Sequence, residues 1–368
     1  MSPTSTRLLI AASGTGGHLF PALALAEQLQ DYEIEWLGTP NRLEQTLVPH
    51  FYPLHTISVE GLQKPLSLNT LKILQGFITA TIFQVRRLLK ERKIDAVFTT
   101  GGYIAAPAIL AARLQGLPVI LHESNFIPGK VTRLFSPFTH AVALGFADTA
   151  KYLPRAKTFW VGTPVRSEFC QPQPLDLPIP PDAFLIVVIG GSQGAVALNQ
   201  LVRQCVQAWF EARVWVVHLT GEQDQDRAIL QHPQYFSLPF YQQMAGLLQR
   251  ANLAISRAGA GSLTELAITH TPAILVPYPY GAEDHQTFNA QVFAAAGAAY
   301  VYPQAQLTAA ILASTVLDLV RSPILLQKMK EKMATLAKTD SASLLAELVA
   351  QTIFNYPKKS DLLNHKKT

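Results

Sequence analysis

The chain has 368 residues, 49% of them hydrophobic and 15% charged, which is enough apolar material for a large core and, at ordinary domain sizes, for two domains. Its two cysteines, Cys170 and Cys205, form no C-x-x-C pair, which argues against a disulfide framework or a zinc knuckle and fits a reducing, cytoplasmic setting. The formal net charge of +5 suits an anionic substrate or an anionic membrane surface, and the lack of an unbroken apolar run of about 18 residues, or of a signal-peptide pattern at the start, predicts no spanning segment.

The first element is the apolar run Leu8–Ala12, which reads as a buried strand. Ser13-Gly14-Thr15-Gly16-Gly17-His18 follows it, and Phe20–Ala26 then reads as a helix. Side-chain-free residues between a strand and a helix let backbone N–H groups and the helix dipole approach an anion, usually a phosphate, with a dipole contribution of about 0.3–1 kcal/mol. A dinucleotide fingerprint would place a third glycine where Leu19 stands and an acid at the end of the next strand, where Ile34–Leu37 runs into Gly38-Thr39. A phosphate or sugar contact is therefore expected, and NAD is not.

Leu71, Leu74, Ile78 and Ile82 recur at helical spacing, flanked by Lys72, Arg86, Arg87, Lys90 and Arg92. This is either a membrane-docking face or a core-facing amphipathic helix with solvated charges. Ala96–Thr99 with Gly101-Gly102-Tyr103, and Val119–Leu121 with His122-Glu123-Ser124-Asn125, are two further strands that end in polar or glycine turns. The histidine and glutamate of the second turn are either ligand contacts or an internal hydrogen-bonded pair. Gln171–Pro181 is proline-rich, so it reads as an extended connector near a domain boundary.

The second half repeats the grammar of the first. Phe184–Ile189 is a buried strand, Gly190-Gly191-Ser192-Gln193-Gly194 a glycine loop and Ala195–Ala208 a helix. Leu253–Gly259, a helix and Thr271–Val276 form another βαβ unit. Continuous apolar strands separated by helices imply parallel sheets covered on both faces, hence two Rossmann-like, doubly wound α/β domains. The expected division is 1–165, 166–340, and a C-terminal helix with a basic tail over 341–368. Ligands bind at the carboxyl ends of such strands, so the glycine turns are expected to line a cleft. Asp224-Gln225-Asp226 has the spacing of a D-x-D metal clamp but reads as a solvated loop. Glu265, in the first turns of the helix after Ala258-Gly259-Ala260-Gly261-Ser262-Leu263-Thr264, is either a dipole-capping acid or a carboxylate for two ribose hydroxyls. Asp284, His285, Gln286 and Asn289 either carry groups suited to sugar hydroxyls or form a polar helix start.

Taken together, the turn at Gly14–His18 with Pro21, Gly101–Tyr103, His122–Asn125, Gly162-Thr163-Pro164-Val165-Arg166, Gly190–Gly194 and Ser256–Ala260 resembles the MurG family of peptidoglycan glycosyltransferases, in the right order from Gly14 to about Asn289 and through Gly297-Ala298-Ala299 beyond it. Ser124 departs from the glutamine common at that position. The resemblance implies a GT-B fold and inverting, metal-free and cofactor-free transfer of N-acetylglucosamine (GlcNAc) from UDP-GlcNAc to an undecaprenyl-linked muramyl-pentapeptide. It also implies a peripheral location on the cytoplasmic face of the plasma membrane, among anionic lipids, and no nucleic-acid partner. By the same resemblance, Thr15, Gly16 and Gly17 approach a diphosphate and Asn125 contacts GlcNAc. Arg166 and Ser192 serve the nucleotide diphosphate, Tyr241 the uracil pocket, Ala260, Gly261, Ser262, Leu263, Thr264 and Glu265 the ribose and uridine, and Gln286 the sugar hydroxyls. Such a reaction needs a base for the acceptor hydroxyl; His18 is the first candidate and Glu123 the second. A transferase acting on diacylglycerol and a non-catalytic nucleotide-sugar module are the alternatives.

Overall fold

Thirteen strands, all paired in parallel, make up two separate sheets in the computed structural model, which describes residues 5–58, 81–191 and 194–357. The chain divides into two compact units. One contains residues up to Ser124, Pro128–Pro164 and the chain from Asp340 onward; the other contains Asn125–Ile127 and Val165–Thr339.

In the first unit the strands are β1 (Thr6–Ala11), β2 (Tyr32–Gly38), β3 (Leu54–Thr56), β4 (Ala96–Thr99), β5 (Val119–Glu123), β6 (Ala141–Leu144) and β7 (Thr158–Trp160), in the order β3-β2-β1-β4-β5-β6-β7. Helices α1 (Gly16–Gln28), α2 (Glu44–Leu47), α3 (81–91), α4 (Ala105–Gln115), α5 (Lys130–Phe135) and α12 (Ser341–Phe354) belong to it. Leu8 and Ile10 face one core and Leu9 and Ala11 the other, so β1 is apolar throughout because both of its faces are covered. On α12, Leu345 and Val349 sit four residues apart and are fully buried in the α1-side core. Burial of each contributes about 1.5–3 kcal/mol.

Helix α1 begins at Gly16, inside the glycine run, earlier than the apolar pattern from Phe20 suggests. The glycines form its first turn. Pro21 lies within the helix, where its missing N–H leaves the Gly17 carbonyl without the usual donor. In α3, Val85 and Leu89 are buried and Ile82 packs against the same core. Ile82 therefore belongs to the core-facing stripe and not to a docking face, because its spacing from Val85 and Leu89 puts all three on one side of the helix. Phe83, Arg87 and Lys90 are exposed. Leu71, Lys72, Leu74 and Ile78 lie outside the described residues.

The second unit has β8 (Leu185–Ile189), β9 (Trp215–Leu219), β10 (Tyr235–Leu238), β11 (Leu253–Ser256), β12 (Ala273–Leu275) and β13 (Ala299–Val301), in the order β10-β9-β8-β11-β12-β13. Its helices are α6 (Val196–Glu211), α7 (Met244–Arg250), α8 (Ala260–Ile268), α9 (His285–Ala295), α10 (Ala309–Val320) and α11 (Pro323–Leu336). The proline-rich stretch is irregular, and it is anchored to α7. Gln249 accepts from Gln173 N at 2.9 Å and donates to Gln171 O at 2.8 Å. Gly246 is required there, since a Cβ at that position would stand 2.1 Å from the Pro174 carbonyl oxygen.

Candidate functional site

Each sheet has one place where the strand order reverses, between β1 and β4 in the first unit and between β8 and β11 in the second. Loops leaving adjacent strands in opposite directions open a crevice at such a point. The sequence puts a glycine turn after each of these four strands.

In the first unit, this topology brings the turn after β1 against the turn after β4. His18, in the first turns of α1, has Nδ1 2.8 Å from the Thr100 carbonyl oxygen. A carbonyl can only accept, so Nδ1 carries the hydrogen and the lone pair lies on Nε2. Gly101 and Gly102 sit at φ of 88° and 73°, a backbone conformation that favours glycine, and border the ring; a Cβ on Gly102 would lie in ordinary contact, 3.7 Å from Nε2. The amides of Gly16 and Gly17 open α1 and have no acceptor within the helix, while Thr15 is the N-cap and its side chain does not cap.

Glu44 was not singled out from sequence, and it is fully buried beneath this turn. One carboxylate oxygen accepts from Thr39 N at 2.9 Å and from the hydroxyls of Ser13 and Thr39. The other accepts from Gly14 N at 3.1 Å. Gly38 lacks a Cβ where the Glu44 side chain passes. Its partners come from other elements, so nothing in the spacing of the local sequence marks it.

At the end of β5, His122 is fully buried. Nε2 donates to Gly162 O at 2.9 Å and Nδ1 accepts from Ser124 Oγ at 3.3 Å. Burial holds its pKa below the usual imidazole range, with the Gly162 bond and Glu123 opposing. Glu123 is also buried, and Oε2 accepts from Gly129 N at 3.1 Å. Both side chains therefore belong to the interior of the first unit.

In the second unit, α8 follows the turn after β11. Its first amides, on Ala260, Gly261 and Ser262, precede the first intrahelical bond, Leu263 N to Gly259 O at 3.0 Å. Gly259 and Gly261 have open space where a Cβ would lie. Leu263 is in the core, and Thr264 donates its hydroxyl to Ala260 O at 2.9 Å. Glu265 is largely buried, and its pKa is pushed up to about 7, chiefly by burial, with Arg166 lowering it and Glu168 raising it. Arg166 spans the two acids, 3.0 Å from Glu168 and 4.0 Å from Glu265, and lies over the Phe169 ring. Ser192 lies outside the described residues. Tyr241 donates its hydroxyl to Gln243 Oε1 at 3.1 Å.

Gln286 and Asn289, three residues apart on α9, both reach the turn after β11. Gln286 Oε1 accepts from Ala258 N at 3.0 Å and from Tyr278 N at 2.9 Å, which spends its oxygen and leaves the amide nitrogen as the group to offer a ligand. Asn289 is completely buried and bonds to Phe126, Asn125 and Ala258, so it is not a surface group for sugar hydroxyls. Arg257, within the Ser256–Ala260 motif but given no role there, holds the carbonyls of Val276 and Pro277 at 3.0 and 3.2 Å and carries Gln304 on its other nitrogen.

The expectation of a solvated loop at Asp224 is overturned. Asp224 is 2% exposed, and Arg203 grips its two oxygens at 2.9 and 3.2 Å. Asn199 donates to it at 2.6 Å and to Thr220 O at 2.8 Å, while Asn199 Oδ1 accepts from His218 Nε2 at 3.0 Å. Burial raises the Asp224 pKa, but the bonds from Arg203, Asn199 and Asp226 outweigh it and hold the carboxyl below its usual range. Burial, reinforced by Arg203, pushes His218 down to about 3. The aspartate is an internal tie between α6 and the loop after β9. Among the described residues no group of three or more His, Cys, Asp or Glu side chains could hold a metal ion.

Residues 8–144 match the glycosyltransferase family 28 N-terminal domain and residues 185–345 its C-terminal domain. The chain is 68% identical over 349 residues to the UDP-N-acetylglucosamine–N-acetylmuramyl-(pentapeptide) pyrophosphoryl-undecaprenol N-acetylglucosamine transferase of Gloeothece citriformis, covering 95% of this chain and 97% of the relative. The transferase of the same name from Nostoc punctiforme is 60% identical over 356 residues, covering 96% and 99%. Among solved structures, Acinetobacter baumannii MurG aligns with a TM-score of 0.75 at 30% identity, covering 94% of this chain and 99% of that one. A calicheamicin glycosyltransferase aligns at 0.72 with 15% identity, a likeness of fold alone.

Proposed function

The chain belongs to glycosyltransferase family 28, and we propose that it carries out the transfer for which its full-length relatives are named: GlcNAc passes from UDP-GlcNAc to the muramyl-pentapeptide pyrophosphoryl-undecaprenol, and UDP is released. Identity of 60–68% across both units to transferases of that name carries this reading.

In this reading the unit bearing His18 takes the acceptor and the unit bearing Glu265 takes the donor. The acceptor hydroxyl gives its proton to His18 Nε2, the nitrogen left basic by the Thr100 bond. Its oxygen bonds to the anomeric carbon, the bond from that carbon to the β-phosphate oxygen breaks, and UDP leaves with the electron pair, so the configuration inverts. Glu123, engaged by Gly129, is the second candidate base. The amides opening α1 and α8, with Thr15, Gly16, Gly17, Arg166 and Ser192, stabilise phosphate charge. Glu265 accepts the ribose hydroxyls, Tyr241 borders the uracil, Gln286 donates to the sugar and Asn125 contacts GlcNAc.

A lipid-linked acceptor calls for a peripheral enzyme, and no single described helix is long and apolar enough to cross a membrane. We place it on the cytoplasmic face, attached through basic residues of α3 to anionic lipids. Calorimetry tests the donor assignment. UDP binding without NAD binding is expected, and NAD binding without UDP binding would overturn it.

A further inference from the structure

We propose that Asn289 is a positioning residue for the donor sugar, one that orients Asn125 and fixes it to the turn at Ala258. The inference rests on the reading of Asn125 as the GlcNAc contact. Asn125–Ile127 belongs to the second unit although the neighbouring sequence on both sides belongs to the first. The bonds from Asn289 hold it there. Asn289 Oδ1 accepts from Phe126 N at 2.8 Å, and Nδ2 donates both to Asn125 Oδ1 at 3.1 Å and to Ala258 O at 3.2 Å.

The side chain is completely buried, with its oxygen and both N–H donors engaged. Its orientation is forced, because a flipped amide would set NH2 against the Phe126 N–H and an oxygen against two oxygens. Gln286 holds Ala258 N from the same helix, so α9 grips that residue through both its N–H and its C=O. Backbone satisfaction needs only the Phe126 and Ala258 bonds. The third bond orients a side chain: with Oδ1 turned to Asn289, the Asn125 carboxamide has its nitrogen on the opposite side. One amide thereby ties sugar recognition to the turn that opens α8 and leads to Glu265.

Asn289→Asp keeps the size and the acceptor for Phe126 but sets an anionic oxygen against Asn125 Oδ1 and Ala258 O. We expect it to raise KM for UDP-GlcNAc about tenfold, the order of one lost hydrogen bond, while inhibition by UDP, which lacks the sugar, barely changes. Asn125→Ala should act alike, and the double variant should be no worse than either single one. An effective Asn125→Ala that multiplies with Asn289→Asp would overturn the positioning role while leaving Asn125 on the sugar. A silent Asn125→Ala would remove Asn125 from the sugar and the inference with it. Should Asn289→Asp fail to fold, Asn125→Asp decides. It keeps the acceptor for Asn289 but loses the amide donor, so it should match Asn125→Ala, and wild-type KM would overturn the inference.

Discussion

His18 owes its chemistry to one carbonyl: the Thr100 bond fixes the tautomer that leaves Nε2 able to accept a proton. Replacing His18 with Ala is expected to lower kcat by roughly 10²–10⁴, the usual worth of a general base, with little change in UDP affinity. Near-normal turnover would shift the role to Glu123 or to water. Glu265 gives a second prediction. Burial lifts its pKa from an ordinary 4.5 to about 7, so the folded chain keeps a proton that the unfolded chain has lost. Stability from that proton is full below about 4.5 and is lost as pH rises through about 7. Ribose hydroxyls donate to the ionised form, so UDP-GlcNAc, whose diphosphate does not titrate there, should bind more tightly as pH goes from about 6 to about 8. Glu265→Gln should flatten that rise, and calorimetry that finds the rise unchanged would remove Glu265 from the ribose. The glycine turns could be read from the sequence because glycine marks backbone need locally. Glu44 could not, since its donors come from Ser13, Gly14 and Thr39, and Asp224 was misplaced because Arg203 and Asn199, which bury it, lie on a distant helix.

Among the elements, strands were more legible than helix starts. Phe184–Ile189 was expected and Leu185–Ile189 is observed, because an apolar run buried on both faces leaves little choice of conformation. The start of α1 was not, since glycine carries no helical signal, yet Gly16 and Gly17 form the first turn of the helix. Helix α3 shows the same limit of periodicity. The spacing that includes Ile82 is real, and in the described part it points inward, with Val85 and Leu89. The outward side carries Phe83 and Lys90, with Arg87 paired to Glu91 at 2.6 Å. If α3 attaches the enzyme to lipid, binding to anionic vesicles should weaken as salt shortens the screening length below about 8 Å. Changing Arg86, Arg87 and Lys90 to Gln should weaken it further, with activity on a short-chain soluble acceptor unchanged. Vesicle binding indifferent to both would leave α3 as a core helix with solvated charges.

At the scale of the whole molecule, two parallel sheets follow from a chain that twice writes strand, glycine turn and helix. Each order reversal then places two such turns side by side, β1 with β4 and β8 with β11. The two parallel sheets could be read from apolar runs and turns, since parallel pairing requires crossover helices and those bury both faces, whereas the strand order is seen only in the structure. The return of α12 to the first unit could not, because an amphipathic terminal helix does not name the core it covers. The most direct measurement of the central claim is the transfer itself, with UDP-GlcNAc radiolabelled in the sugar and a lipid-linked muramyl-pentapeptide as acceptor. Label should move into the lipid product with release of UDP, and only when that acceptor is present. Label that remains in UDP-GlcNAc, or that passes instead to diacylglycerol, would contradict the account.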